Sequence, residues 1–473
     1  MLRYPVPEID VDQKIVQPNR NFILALMMIS SFIAPFLGAS VNIALPSISA
    51  DLEMNAITMS WVAMSYLLTS AVFLVPFGKL ADIFGRVKVF ILGNIIMASA
   101  SLLCGLANNS DALIVFRILQ GIGSAMMFGT NMAIITSVFP PNQRGKAIGI
   151  NVTSVYMGLS VAPVLGGILT QTFGWQSIFF VTIPFGLFVA LAARMMIKTD
   201  WAEAKSEKFD YQGSVIYIIA MSAFMYGFSK LPDPLAFVLA GIGVAGLLLF
   251  WRVEIRTPFP VFNMKLFFGN KLFAMSNLAA LINYATTFAV TFVLSLYLQY
   301  VKGLSPRDAG FILIAQPLMM ALVASFSGKL SDQYQPRILS SMGMGIIAIG
   351  LVLLLPLNDH TSTAYLILSL ILLGIGFGLF SSPNTNAVMS SVEKKFLGVA
   401  SATVATMRMT GQMVSMGIAT LVIHVFIGKE RISELNEPAF LHSISVTFAI
   451  FILLSLVGIW ASLVRGKSNA NHN

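Results

Sequence analysis

The chain has 473 residues, of which 57% are hydrophobic and only 10% are charged. Ordinary soluble domains have about 25% charged residues, so this composition excludes a water-soluble protein and indicates an integral membrane protein. The net charge of +9 comes from basic residues spread singly and in pairs between apolar runs. That spread excludes the concentrated basic patch of a nucleic-acid-binding protein, and we expect a lipid bilayer around the chain.

Apolar runs long enough to cross a bilayer recur along the chain, which predicts an all-α protein with fourteen transmembrane spans. A span needs about 20 apolar residues, so fourteen occupy about 280 residues and leave short loops. In chain order, the predicted spans are Phe22–Leu45, Ser60–Phe77, Val87–Ala107, Ala112–Val138, Ala147–Leu169, Ser177–Ile197, Tyr211–Leu231, Leu235–Trp251, Leu272–Gln299, Ala309–Phe326, Ile338–Leu355, Ala364–Ser382, Leu397–Phe426 and His442–Val464.

The distribution of positive charge predicts the orientation. If the N-terminus is inside, the inner segments hold 22 of the 29 Lys and Arg residues and the outer loops hold 5. The remaining two, Arg117 and Arg408, lie inside helices and away from the ends of their spans. Because cytoplasmic loops carry an excess of Lys and Arg, both termini are expected in the cytoplasm. We expect a multi-pass protein of the plasma or inner cell membrane.

An internal repeat divides the chain. Gly78-Lys-Leu-Ala-Asp82 returns as Gly328-Lys-Leu-Ser-Asp332, 250 residues later. Six-helix halves need an offset of only about 200 residues, so the excess predicts two helices inserted between duplicated halves. The predicted divisions are a cytoplasmic segment (1–21), a six-helix half (22–197), an inserted helix pair (211–251), a second six-helix half (272–464) and a cytoplasmic tail (465–473).

The loop after the second span reads Gly78-Lys-Leu-Ala-Asp82-Ile-Phe-Gly85-Arg86-Val-Lys88. Glycine supplies the backbone freedom for a turn between closely spaced helices, and Gly85 stands where that turn is expected. Asp82 and Arg86 are four residues apart, so their side chains can pair. On these residues alone, a solvated connector with inner positive charges is an equally good interpretation.

This loop resembles the signature GxLaDrxGrxk of the major facilitator superfamily. Two other stretches resemble motifs of that superfamily: Arg117-Ile-Leu-Gln120-Gly121-Ile-Gly123 (RxxqGxg) and Gly158-Leu-Ser-Val-Ala162-Pro163-Val-Leu-Gly166-Gly167 (the antiporter motif gxxxGPxxGG, with Ala162 replacing a glycine). With fourteen spans, the chain resembles the drug:proton antiporter branch with that number of spans.

The resemblance implies the fold of that superfamily, with two pseudo-repeated six-helix bundles plus two inserted helices. It implies that the Gly78–Lys88 loop is a cytoplasmic latch between the halves, with Asp82 as its key residue. In the second copy, Gln335 and Pro336 stand where the last glycine and arginine would fall, so we expect an asymmetric latch. For the Gly158–Gly167 stretch, a hinge and simple helix packing both remain open.

No Asp or Glu lies in the middle of a predicted span, and Leu37 stands where the related branch has an acidic residue in its first helix. The charges left inside spans are arginines. Arg117 either reaches outward to the membrane surface or, as the resemblance implies, handles protons beside Gln120. Arg408 lies near mid-membrane, where an arginine costs about 3 kcal/mol, so it is expected to face the bundle and to bond carbonyls or Gln412.

The resemblance places a substrate cavity between the first and fourth helices of each half. The polar candidates there are Asn42, Asn131, Asn283, Tyr284, Asn384 and Asn386. We expect a monomer that exports drug-like or lipophilic small molecules in exchange for protons. A facilitator or symporter of a small polar or anionic solute remains the alternative. No ATP, metal or cofactor site is evident, and the four histidines lie in or near loops and helix ends, so no enzyme is expected.

Overall fold

The computed structural model describes residues 20–202, 204–231, 233–262, 267, 269–331, 334–392, 397–428, 430, 432 and 436–465. Every long regular element in these ranges is a helix. The helices are α1 (Arg20–Asp51), α2 (Ala56–Phe84), α3 (Arg86–Gly105), α4 (Ser110–Val138), α5 (Pro141–Phe173), α6 (Gln176–Met196), α7 (Tyr211–Lys230), α8 (Pro234–Glu254), α9 (Lys271–Leu296, continued by a π-helical turn, Tyr297–Val301), α10 (Pro306–Leu313), α11 (Ala315–Leu330), α12 (Pro336–Leu353), α13 (Thr363–Ser390), α14 (Leu397–Ile427) and α15 (Glu437–Val464).

Thirteen helical segments within the described ranges are long and apolar enough to cross a membrane. One of them, Pro306–Gly328, joins α10 to α11. The predicted span Tyr211–Leu231 corresponds to α7, which is not among the thirteen but packs along the whole of α8. The all-helical membrane architecture is therefore confirmed, and the count of fourteen crossings remains a prediction that includes α7.

The helices pack as two bundles with the same internal pairing. In the first, α1 packs on α5 and α4 packs on both α2 and α3; in the second, α9 packs on α14 and α13 packs on both α11 and α12. Matching hydrogen bonds mark the repeat. The Asn131 amide donates to the Met27 carbonyl at 2.9 Å, and the Asn384 amide donates to the Ser276 carbonyl at 3.0 Å. The repeat seen in the sequence thus corresponds to two bundles whose helices pack in the same way.

The two ends of the bundle differ in how the halves meet. We call the end where α2 meets α3 at Gly85 the motif end, and the opposite end the far end. The apolar core of the far end contains buried residues from both halves, including Leu45 and Leu298. At the motif end, one apolar core is built from α1 and α3–α6, and a separate core belongs to the second half around Phe273 and Val388. Within the described residues, the halves share this far-end core and a second core, in which Val72 of α2 and Met413 of α14 pack with Met221 of the inserted pair.

The inserted pair is held together by close backbone packing. A Cβ atom added to Gly243 of α8 would overlap the backbone of Phe224 on α7. Small residues allow helix axes to approach closely in lipid, where apolar burial does not drive association. The pair also packs sideways through α7 on α2 and α14, one helix from each half.

Gly243→Val is expected to destabilise the inserted pair, because the added side chain must displace the α7 backbone. Overpacking of this kind costs about 1–3 kcal/mol. Gly241→Val is the matched control, since a Cβ there meets nothing within 4 Å. Thermal unfolding of the purified variants in detergent measures the difference. Equal midpoints for the two variants would contradict the packing described for α7 and α8.

Candidate functional site

The far end is closed by hydrogen bonds between the first helices of the two halves. Ser295 Oγ on α9 donates to the Asn42 carbonyl of α1 at 3.0 Å, and Gln299 Nε2 donates to the Ile43 carbonyl at 2.9 Å. Asn42, predicted to line the cavity, is therefore buried beside this closure and contributes its backbone to it.

The Gly158–Gly167 stretch of α5 packs against both halves near the far end. Within its own half, the Ser40 hydroxyl of α1 donates to the Ala162 carbonyl at 3.2 Å, and a Cβ on Gly166 would lie 2.8 Å from Ser40. Across the junction, a Cβ on Gly167 would overlap the Pro306 carbonyl. A Cβ on Gly310 of α10 would likewise overlap the carbonyl of Pro163 in the motif. The stretch is thus a contact between halves as well as a packing surface.

The motif end is organised around Gly85, which ends α2 and precedes α3 with φ of 118°. Only glycine adopts this backbone conformation without strain. Arg86, buried at the start of α3, donates from Nε to Asp82 at 2.8 Å and from Nη1 to the Ser137 hydroxyl of α4 at 2.7 Å. The predicted Asp82–Arg86 pair therefore forms and ties α2, α3 and α4 together.

The segment after α6 covers this turn. Asp200 accepts from the Val87 backbone N–H at 2.9 Å and lies 3.9 Å from the Lys88 ammonium. The Ala204 N–H donates to the Asp82 carbonyl at 3.0 Å, and Lys79 pairs with Glu207 at 2.5 Å. Each of these contacts stays within residues 79–207, so the contact of a latch with the second half remains a prediction.

The second copy of the motif is only partly described. Asp332 lies outside the described residues. Gly328 packs against Ser382, because a Cβ there would lie 2.9 Å from the Ser382 hydroxyl. The Asn386 amide, predicted as a cavity residue, donates to the Ser331 hydroxyl at 2.6 Å in this region. Asn386 therefore lies beside the second copy of the motif.

Arg117 points into the first half and does not reach toward the membrane surface. It is 1% exposed, donates from Nε to the Val62 carbonyl at 2.9 Å and from Nη1 to Gln120 at 2.5 Å. Its guanidinium lies 4.4 Å from the ring centroid of Tyr66. Gln120 continues the network by donating to Ser101 at 2.8 Å. Burying a cation among neutral groups is costly unless its donors are hydrogen-bonded, and these contacts engage Nε and Nη1.

Arg408 lies at the junction of the halves, in surroundings that differ from those of Arg117. Its guanidinium is 5.3 Å from the ring centroid of Phe128 on α4, and it lies against the Tyr284 hydroxyl of α9. Across the same junction, the Tyr156 hydroxyl of α5 and the Ser381 hydroxyl of α13 are 2.7 Å apart. We call these five residues the central cluster. They come from five helices of both halves and are all half-buried.

The remaining predicted residues lie outside this cluster. Gln412, one turn along α14, is half-buried, but within the described residues it is not a hydrogen-bond partner of Arg408. Asn283 is fully buried in α9 with both side-chain atoms unpartnered in the described structure. Asn131 and Phe128 of the cluster line the same small crevice, together with Ser30, Ser31 and Met127. Of the six predicted cavity residues, only Tyr284 belongs to the cluster itself.

Asn384 is engaged by an arginine that the sequence did not single out. Arg465, just after α15, is 2% exposed and donates to Asn384 at 2.7 Å and to Ser340 at 3.2 Å. Burial, and then the neighbouring Arg337, lower the pKa of Arg465 to about 10. Arg465 joins α12, α13 and α15 at the motif end. The sequence did not single out Arg465 because it directly follows a predicted span, where basic residues of inner loops are expected.

Glu254 was also missed, because the predicted span stopped at Trp251 whereas α8 continues to Glu254. It is the one acidic side chain that is buried within the described residues, at 2% exposure. Its Oε1 accepts from the backbone N–H groups of Val261 and Phe262 at 3.1 and 3.3 Å. The other oxygen has no partner in the described structure. Glu254 lies at the motif end of the inserted pair, outside the central cluster.

Comparison with known proteins identifies relatives among transporters. The family model described as Major Facilitator Superfamily matches residues 27–416 and 276–472. The riboflavin transporter RibZ of Clostridioides difficile is 30% identical over 82% of this chain and 84% of its own length. The tetracenomycin C resistance and export protein of Streptomyces glaucescens is 32% identical over 76% of this chain and 68% of its own length.

Solved structures agree with this fold. A bacterial homologue of the human lysosomal transporter Spinster, solved in an inward-facing and unoccupied conformation, superimposes with a TM-score of 0.67. The match covers 94% of this chain and 96% of that chain at 17% identity. At that identity the likeness shows the fold alone.

Gly167→Val is expected to open the far end, because the added side chain must occupy the position of the Pro306 carbonyl. The readout is a cysteine at the buried Ser295 position, in a chain whose native thiol is removed by Cys104→Ser. We expect its reaction with a water-soluble maleimide to accelerate by at least about tenfold, equivalent to about 1.4 kcal/mol of overpacking. Gly149→Val on the same helix is the control, since a Cβ there meets nothing within 4 Å. Equal labelling rates would contradict this closure.

Asp82→Asn is expected to lower transport by about tenfold, a change of about 1.4 kcal/mol in the barrier, without lowering membrane abundance. The reason is that asparagine keeps the shape of the side chain but loses the charge that pairs with Arg86. Initial rates in vesicles, normalised to protein amount, measure the effect. Asp233→Asn, an exposed carboxylate at the start of α8, is the control. Normal flux in Asp82→Asn would refute the latch role.

Proposed function

Because this chain belongs to the Major Facilitator Superfamily, we propose that it is a secondary active transporter that exports drug-like or lipophilic small molecules in exchange for protons. The observation that carries the proposal is the position of the central cluster. It joins α4 and α5 of one half to α9, α13 and α14 of the other, midway between a shared core and two separate cores. A substrate bound there would contact both halves, as alternating access requires.

The direction of access follows from the orientation predicted by the positive charges. If the motif end is cytoplasmic, as are both termini, the closed far end faces outward and the two separate cores face the cytoplasm. In this proposal, substrate from inside the cell enters between these two cores. The chain works as a monomer in this proposal, because both halves of the cluster come from one chain.

The relatives support a small organic substrate. The names of two of them refer to riboflavin transport and to tetracenomycin C export. The walls of the central cluster suit such molecules, since Phe128 and Tyr284 present aromatic rings and Tyr284 packs edge-on against Phe377 at 5.2 Å. Aromatic side chains give large contact areas with little loss of conformational freedom.

Facilitated or coupled movement of an anionic solute is the second candidate. It is favoured by one observation: the central cluster contains a cation, Arg408, and no carboxylate among its five residues. A carboxylate in the bundle is the usual proton carrier of such transporters, and such a residue is absent from the middle of each helix in the described structure. Proton coupling is therefore the part of the proposal that most needs a direct test.

Proteoliposomes supply that test. Purified protein is reconstituted, a proton gradient is imposed or collapsed with an ionophore, and the movement of a lipophilic dye and an organic anion is followed in parallel. Export driven by protons predicts dye movement that stops when the gradient collapses. Anion movement that is unaffected by the gradient would instead establish the second candidate. Vesicles prepared without protein are the control for leakage.

A further inference from the structure

Arg408 is half-buried, and its surroundings differ from those of Arg117 and Arg465. The Tyr284 hydroxyl and the Phe128 ring lie against its guanidinium. Arg117 uses Nε and Nη1 in hydrogen bonds within its half, and Arg465 donates from both terminal nitrogens to side chains of the second half. In the part of the chain that the structure describes, the Nε atoms of Arg408 and Arg465 are both buried without a hydrogen-bond partner, but only Arg465 has its terminal nitrogens engaged by side chains of two other helices. No carboxylate pairs with Arg408 there either.

A guanidinium is permanently charged, so burial without an anion is unfavourable unless another molecule supplies the missing partner. Arg408 is only half-buried, but no anion pairs with it in the described structure and its Nε is left without an acceptor. It presents a planar fork of donors at the junction of the halves, and such a fork suits carboxylate oxygens better than any neutral group.

The other members of the central cluster define what can accompany the anion. Phe128 lies 5.3 Å from the guanidinium, and Tyr284 presents a ring and a hydroxyl beside it. The paired hydroxyls of Tyr156 and Ser381 add polar groups within the same space. Flat rings are bound well by aromatic walls, and hydroxyls can donate to a carbonyl or carboxylate at the edge of such a ring.

We propose that the central cluster binds aromatic organic anions, with Arg408 holding the anionic group and Phe128 and Tyr284 flanking the ring. This inference rests on the proposed transport function and narrows its substrate class. An aromatic cation of the same size is disfavoured at this site, because Arg408 would repel it. Since Arg408 belongs to the second half and Phe128 to the first, the bound anion bridges the two halves.

Binding by the purified full-length chain in detergent tests the proposal without any need for transport. The probes are 2-naphthoate, its uncharged amide 2-naphthamide, and a naphthyl trimethylammonium salt, which share one ring system and differ in charge. Calorimetric titration should show naphthoate binding at least about tenfold more tightly than the amide, and the ammonium salt more weakly than both. Arg408→Gln should remove the preference, and Arg408→Lys should keep part of it.

Two further variants distinguish the effect of the Arg408 charge from the general effect of removing an arginine and from the loss of a ring contact. Arg194→Gln, which removes an exposed arginine of α6, should leave all three affinities unchanged. Phe128→Leu should weaken the three probes by a similar factor and keep the preference for the anion. Thermal unfolding of each variant confirms that it is folded.

Equal binding of naphthoate and amide by the original chain, or an anion preference that survives in Arg408→Gln, would overturn the proposal. Failure of the chain to bind any naphthyl probe would overturn it as well. The outcome is separable from that of the vesicle experiment. A clear anion preference without proton-driven movement would refute proton exchange but support this site, whereas proton-driven movement of cations alone would refute this site.

Discussion

The close approach of α5 and α10 near the far end is the constraint on which the rest of the structure depends. Gly167 lies against the Pro306 carbonyl and Gly310 lies against the Pro163 carbonyl, so backbone meets backbone across the two halves. In lipid, where apolar burial gives no net drive for helix association, such small-residue contacts supply the packing. The contact sets the distance between the halves and thereby brings Tyr156 within hydrogen-bonding distance of Ser381.

The two ends of the bundle use different kinds of contact. Near the far end, glycines, backbone carbonyls and a shared apolar core hold the halves together through many short contacts. At the motif end, charged side chains such as Asp82, Arg86 and Asp200 organise a single half. Partly exposed ion pairs contribute only about 0–1 kcal/mol each, so the motif end is suited to rearrangement more than to holding the halves closed.

The sequence predicted those features that depend on one helix or one loop at a time. Span length and apolarity located the helices, and the recurrence of Gly78-Lys-Leu-Ala-Asp82 predicted the duplicated packing that Asn131 and Asn384 display. The pairing of Asp82 with Arg86 followed from spacing. By contrast, Tyr156 and Phe128 lie outside the sequence motifs. Their place in the central cluster depends on which faces of α4 and α5 turn toward the other half. Glu254 was missed because the predicted span stopped three residues before the helix ends.

The two arginines inside the spans show why residue type alone does not settle function. Both stand in long apolar helices, and both cost energy to place there. Arg117 is surrounded by acceptors of its own half, namely Val62, Gln120 and the Tyr66 ring, so its charge is accommodated whatever the other half does. Arg408 faces Phe128 of the opposite half and leaves Nε without a partner in the described structure. A charge whose surroundings include the other half, or a ligand between the halves, is sensitive to the separation of the halves. That sensitivity is what a transporter needs at its centre, and the proposal of an anion site at Arg408 rests on it.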